Sequence, residues 1–183
     1  MKNKIKEGSI LQLELSNNEI VFGRVYPDFF IAVYDYKMAK NSNQIDIPMI
    51  IQQPILFYCC VYKDVIKKDF IAIGYKDLSG AEIEAMPPQF MQDKIDINKC
   101  WIFDLDGKEK MATPSECLGL ERSSVWEAEG LIKRIEDHYG GRKNFTVEFQ
   151  KPILSKDDPR YLAGPNLMWS EKDEKFYRAP PKS

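Results

Sequence analysis

Two carboxylates set two residues apart are the sharpest candidate for chemistry in this chain. They are Asp104 and Asp106, in the stretch Ile102-Phe103-Asp104-Leu105-Asp106-Gly107. Paired carboxylates at a strand end can support nucleophilic hydrolysis when a magnesium ion offsets their charge. An EF-hand calcium loop is disfavoured, because Lys108 and Lys110 fall on its ligand positions. The same residues also read as a hairpin, with Cys100 to Asp104 and Glu109 to Thr113 as strands around the turn-forming pair Asp106-Gly107. Asp157-Asp158 is a second acidic pair, but it lies in a proline-rich stretch.

Other reactive groups are sparse. His138 is the only histidine, so a histidine metal cluster is impossible and any Ser-His or Cys-His nucleophile would have to use it. There is no GxSxG elbow, no HExxH and no Gly-rich phosphate loop. Cys59, Cys60, Cys100 and Cys117 contain no CxxC pair, which argues against a zinc ribbon. Cys59 and Cys60 are neighbours in a strand and point to opposite faces, which disfavours a bond between them. All four read as reduced packing residues of a cytoplasmic protein. No cofactor and no metal is expected.

The acidic motif closely resembles the first motif of the haloacid dehalogenase-like phosphatases. That resemblance implies a nucleophile at Asp104 and an acid/base at Asp106. Three departures count against it. Lys108 stands where that family has Thr or Val. The motif lies past mid-chain and is followed by a hairpin partner, not a helix. No alternating strand–helix units are present to build a parallel sheet. The hairpin reading is preferred, and the chain is read as non-enzymatic.

The elements that would position these groups are mostly short strands. Leu11, Leu13 and Leu15 alternate with Gln12 and Glu14, which predicts a half-buried strand. Ser16-Asn17-Asn18 signals a turn, and Ile20 to Tyr26 its hairpin partner. Gly23 suggests a bulge or a close backbone approach. Phe29 to Tyr36 is a third strand, in which Tyr34 and Tyr36 face one way and Asp35 the other. Ile55 to Tyr62 is apolar throughout and reads as a central strand covered on both faces. Phe70 to Tyr75 and Asn144 to Phe149 are further strands, and Trp101 with Phe103 is read as core. Ile45 to Pro54 is ambiguous, and Ser79 to Asp96 has no firm period.

One segment reads as a well-marked helix, residues 124–139. Ser124 and Glu127 are spaced as a capping box, an apolar face includes Leu131, Ile132 and Ile135, and Gly140-Gly141 supplies the stop. Trp126 is its expected anchor. The fold class is therefore mainly β (α+β): a twisted antiparallel, partly closed SH3-like barrel with one C-terminal amphipathic helix packed on it. Residues 1–149 form a single domain in this reading. Residues 150–183 are a Pro- and charge-rich extension that keeps Tyr161, Leu167, Trp169 and Phe176. It is expected to dock over its own body or over a neighbouring copy, the latter giving a homodimer.

Composition bounds the partners. A net charge of −2 over 183 residues, with 44% hydrophobic and 30% charged residues, describes an ordinary globular chain. Nucleic acid is not an expected partner, since phosphate binding needs a clustered positive face. The charged Met1 to Glu7 does not read as a signal peptide. The longest apolar run, Pro48 to Tyr62, is interrupted and too short to span a bilayer. A cytoplasmic location with no membrane contact is expected.

Several stretches, in order, resemble the immunity protein 26 family of bacterial toxin–immunity systems. They are Lys6-Glu7-Gly8-Ser9-Ile10-Leu11, Ile20-Val21-Phe22-Gly23-Arg24-Val25 and Phe30-Ile31-Ala32-Val33-Tyr34-Asp35. Ile71-Ala72-Ile73-Gly74 with Pro88-Gln89-Phe90, and Leu120-Glu121 through Gly141, complete the set. Together they cover roughly residues 6 to 145, with Phe70 where the family usually carries Trp. The resemblance implies a non-enzymatic protein that binds and neutralises a cognate toxin encoded nearby. Occlusion of the toxin's active site, or of the route by which substrate reaches it, would be the mechanism. Phe22, Arg24, Tyr34, Asp35 and Tyr36 are the candidate partner-binding cluster, because aromatic and charged groups in one region suit a protein interface. The same residues also suit an internal role, organising the barrel. A general small-barrel module that binds proteins or peptides is the alternative function.

Overall fold

A computed structural model describes residues 4–42, 44–104, 107–162 and 166–179. In chain order the elements are β1 (Ser9–Glu14), β2 (Glu19–Val25), β3 (Phe30–Ala39), α1 (Ile47–Ile50), β4 (Ile55–Val61), α2 (Lys63–Asp69), β5 (Ile71–Tyr75) and α3 (Gly80–Glu84). They continue with β6 (Gln89–Gln92), β7 (Cys100–Phe103), β8 (Glu109–Ala112), β9 (Glu121–Arg122), β10 (Val125–Trp126), α4 (Ala128–Tyr139), α5 (Phe145–Gln150), β11 (Leu167–Ser170) and β12 (Lys175–Arg178). The chain divides into two compact units: Met1–Met86 with Ser124–Glu136, and Pro87–Ser123 with Asp137–Ser183.

The first unit is built on a six-stranded sheet in the order β10-β4-β3-β2-β1-β5. Its pairs are antiparallel except β10 with β4. Leu11, Leu13 and Leu15 are buried and Glu14 is exposed, as the alternation requires. Gly23 marks both features expected of it. The β2–β3 register shifts between Val21 and Gly23, and a Cβ on Gly23 would come within 2.6 Å of Ile31 Cγ2. β4 lies inside the sheet, but most of its side chains are only half-buried, so the expectation that it is covered on both faces is corrected.

The sheet is not closed, and the expectation of a partly closed SH3-like barrel is corrected. Closure requires the last strand to meet the first at a consistent tilt and stagger. Here β10 and β5 stand at opposite ends of the strand order. The strands that could have completed a barrel, β6 to β8, form a separate sheet in the second unit.

The helix differs from expectation at its start. Val125 and Trp126 pair in parallel with Cys60 and Val61, so β4 takes the backbone hydrogen bonds that a first helical turn would have used. α4 begins at Ala128; Leu131 and Ile135 are fully buried. Trp126 is buried on β10. The Arg134 guanidinium lies 5.1 Å above its ring and 3.7 Å above that of Phe57 on β4.

The second unit holds a four-stranded sheet, order β8-β7-β6-β9, and the hairpin β11–β12. Phe90, Cys100 and Cys117 form its small core, with Ile102, Ala112 and Leu120 packed on them. Trp101 and Phe103 lie on the other face, half-buried, so the reading of them as core is corrected. Asn144 to Phe149, expected as a strand, is helical from Phe145. The Asn144 side chain accepts from the Val147 N–H at 3.1 Å, and this cap overrides the β-preference of Phe145-Thr146-Val147.

The extension docks within its own unit. Trp169 and Phe176 pack edge-on to Phe145, with ring centroids 5.9 and 5.3 Å away. Arg160 donates to the carbonyls of Glu148 and Lys151 at 2.6 and 3.0 Å. Arg178 donates to the Pro159 carbonyl at 3.2 Å.

Candidate functional site

Arg24 is the organising residue of the candidate cluster. It sits mid-sheet on β2, opposite Ile10 of β1 and Ala32 of β3, and is only 1% exposed. A charge so deeply buried must be paired. Its Nη1 donates to Glu82 Oε1 at 2.5 Å, and Nη2 donates to the Lys76 and Asp77 carbonyls at 3.1 and 2.7 Å. Nε has no hydrogen-bond partner among the described residues. Burial opposes the charge on Arg24, yet hydrogen bonding with Tyr34 and Glu82 outweighs it and raises the guanidinium pKa further.

Glu82 is held by its own helix as well. Ser79 caps α3, accepting from the Glu82 N–H at 3.2 Å, while Glu82 Oε2 accepts from the Ser79 N–H at 2.8 Å. Partial burial pushes the Glu82 carboxyl upward. The bonds from Ser79, joined by Arg24, outweigh that and hold it below the ordinary carboxylate value. Around this pair stand three tyrosines. Tyr26 and Tyr58 meet edge to face at 5.4 Å. Burial pushes the hydroxyls of Tyr26, Tyr34 and Tyr58 above their ordinary pKa, so all three stay protonated hydrogen-bond donors at neutral pH.

The structure brings four of the five candidate residues together. Phe22, Tyr34 and Tyr36 share a cluster with Ile20 and Ile50 of α1, and Phe22 stacks on Tyr36 at 6.0 Å. Arg24 follows Phe22 on the same face of β2. Phe22, Arg24 and Tyr34 are buried and Tyr36 is half-buried. Asp35 is exposed on the opposite face of β3, and its N–H donates to the Pro54 carbonyl at 2.7 Å. Of the five residues, then, Asp35 is open to solvent on the far face, and on the cluster's own face only Tyr36 is partly so. Glu82 was missed as Arg24's partner. Its signal was the Ser79-x-x-Glu82 capping spacing, inside a stretch without apolar period.

The acidic motif is a turn at its described end. Asp104 Oδ1 accepts from the Lys108 N–H at 2.8 Å. Asp106 lies outside the described residues. Among the described residues, no group of three or more His, Cys, Asp or Glu side chains could hold a metal ion, and no helix is long and apolar enough to cross a membrane. None of the four cysteines, all of them among the described residues, is in a disulfide. Burial, with Cys117 alongside, pushes the Cys100 thiol up to about 12.

An open β-sheet in which a buried arginine is paired to a partly exposed glutamate, together with a second sheet-bearing unit of the chain, defines the class by architecture: a mostly β protein with some helices. The particular family comes from comparison. The family model described as Immunity protein 26 matches residues 6–101, just over half of the chain, and the chain belongs to that family. The match takes in β1 to β6 and the start of β7, and so both Arg24 and Glu82. No curated protein and no solved structure matches the chain.

Proposed function

We propose that this chain is an immunity protein that binds a cognate bacterial toxin and neutralises it without turnover. It acts in the cytoplasm and covers the toxin's active site or the route by which substrate reaches it. Membership of the Immunity protein 26 family is the observation that carries the reading. The architecture supports it: a rigid sheet loses little conformational freedom on binding, which favours tight association. Protection of this kind needs nanomolar affinity or better, about 12 kcal/mol. Asp35 and Tyr36 are the proposed contacts of the first unit, with Phe22, Arg24 and Tyr34 fixing the strands beneath them.

The experiment is co-expression with the product of the neighbouring reading frame. Rescue from toxicity, together with a one-to-one complex on co-purification, is the expected result. A toxic product that this chain neither binds nor neutralises would sink the reading and favour a general protein- or peptide-binding module.

A further inference from the structure

The second unit holds a cleft of about 390 Å³, a volume typical of small-molecule sites. One wall is the turn leading into β9, with Leu118 and Leu120. The other is the end of α5 and the residues after it, with Val147, Gln150 and Pro152. Both walls belong to the same unit. Two arginines hold the second wall. Arg122 Nε donates to the Gln150 carbonyl at 2.9 Å, and Arg160 donates to the carbonyls of Glu148 and Lys151. They take up carbonyls that the end of a helix leaves without intrahelical partners, so this wall is organised in advance of any ligand.

The polar side chains of the lining are engaged elsewhere, with one exception. Lys151 Nζ is 2.6 Å from Glu148. Arg122 also donates to Gln92 Oε1 at 3.3 Å, and its guanidinium lies 5.0 Å from the centre of the Phe90 ring. Glu121 has an interaction partner as well. The exception is Gln150, whose Oε1 is buried and accepts from no donor among the described residues. A buried acceptor without a donor is costly, and such groups are rare in folded chains. The last torsion of a Gln side chain is broad, so this amide can turn to meet a donor in the cleft it lines.

We propose that this cleft binds a neutral aromatic ring carrying a single hydrogen-bond donor, an indole or a phenol. The apolar walls take the ring, and Gln150 Oε1 accepts from its N–H or O–H. A charged ligand is disfavoured, because the ionic side chains of the lining already have partners and a new charge would have to displace one of them. A purely apolar ligand leaves Gln150 without a donor. The ring is either a free compound or a Trp or Tyr side chain of the toxin. Only the second source rests on the toxin-neutralising reading above.

The test uses the full chain and two probes of nearly equal shape, indole and indene, of which only indole carries an N–H. Binding is followed by NMR titration of the backbone amides. Indole should bind with a Kd of about 1 mM or tighter, and its shifts should centre on residues 118–122 and 147–152. Indene should bind about tenfold more weakly. Gln150→Met removes the acceptor and should erase that preference. Val147→Phe puts a larger side chain into the cleft and should abolish the binding of both probes. Equal wild-type affinity for the two probes, or shifts centred elsewhere, overturns the proposal. So does a Gln150→Met chain that still prefers indole. Adding the toxin domain to the indole complex separates the two sources. Displacement of indole, with weaker toxin binding in Val147→Phe, assigns the site to a toxin side chain. A ternary complex that retains indole assigns it to a free compound. A toxin that the wild-type chain neither binds nor neutralises removes the immunity reading and leaves the cleft to stand on the titration.

Discussion

Arg24 and Glu82 show how a single ion pair can fix two elements at once. The guanidinium ties mid-sheet β2 to α3 and to the chain segment that leads into it. Glu82 accepts from Arg24 on Oε1 and from Ser79 on Oε2, and a carboxamide puts an NH2 donor in one of these two acceptor positions. Glu82→Gln should therefore destabilise the first unit by about 1–3 kcal/mol, read as a fall in urea midpoint. A midpoint equal to wild type would remove this pair from the account. The direction of the pKa shift sets the pH dependence. The Glu82 carboxyl lies below its ordinary 4.5 in the folded chain. Its contribution is therefore fully present above the unfolded value and is lost as pH falls through the lower folded value. Wild-type stability should drop on acidification below about pH 4.5, and Glu82→Gln should flatten that drop.

At the scale of elements, caps and edges decide what local preference leaves open. Phe145-Thr146-Val147 favours a strand by composition, yet Asn144 turns it into the start of α5. Asn144 works twice: Oδ1 caps the helix, and Nδ2 donates to the buried Asp137 carboxylate at 2.9 Å. Asn144→Ala should cost about 1–2 kcal/mol. Asn144→Asp keeps the cap but sets a second carboxylate against Asp137, so it should fail to rescue at pH 7. Rescue by Asp, measured by chemical denaturation, would leave the cap as the only role. β10 teaches the same lesson at a sheet edge. Val125 and Trp126 stand at helical spacing to the residues of α4, yet they become a strand because the free edge of β4 lies alongside them.

For the molecule as a whole, the extension is part of the fold of the second unit. Removing residues 166–183 strips Trp169 and Phe176 from Phe145, and Phe176 from Phe149. Those two phenylalanines are already about half exposed, at 47% and 44%, so truncation leaves a larger apolar patch in water. The shortened chain is expected to aggregate or to lose protease resistance near residues 145–162. With its aromatic residues paired in cis, the full chain is expected to be monomeric by light scattering. A stable dimer that truncation dissolves would show that the extension also works in trans.

Composition and spacing alone determined the hairpin of β1 and β2, the close approach at Gly23, the outward turn of Asp35 and the amphipathic core of α4. These are local matters, set by side-chain period and backbone sterics, and the order of such stretches was enough to show the family. Tertiary structure decided the rest. It divided the strands among two open sheets and a separate hairpin, because strand order depends on contacts far apart in sequence. It put Phe22, Arg24 and Tyr34 inside, because α1 and α3 cover that face and Glu82 lies 58 positions away. It turned Trp101 from expected core into an outward row with Met91 and Met111, because a strand's alternation says which residues share a face but not which face meets water.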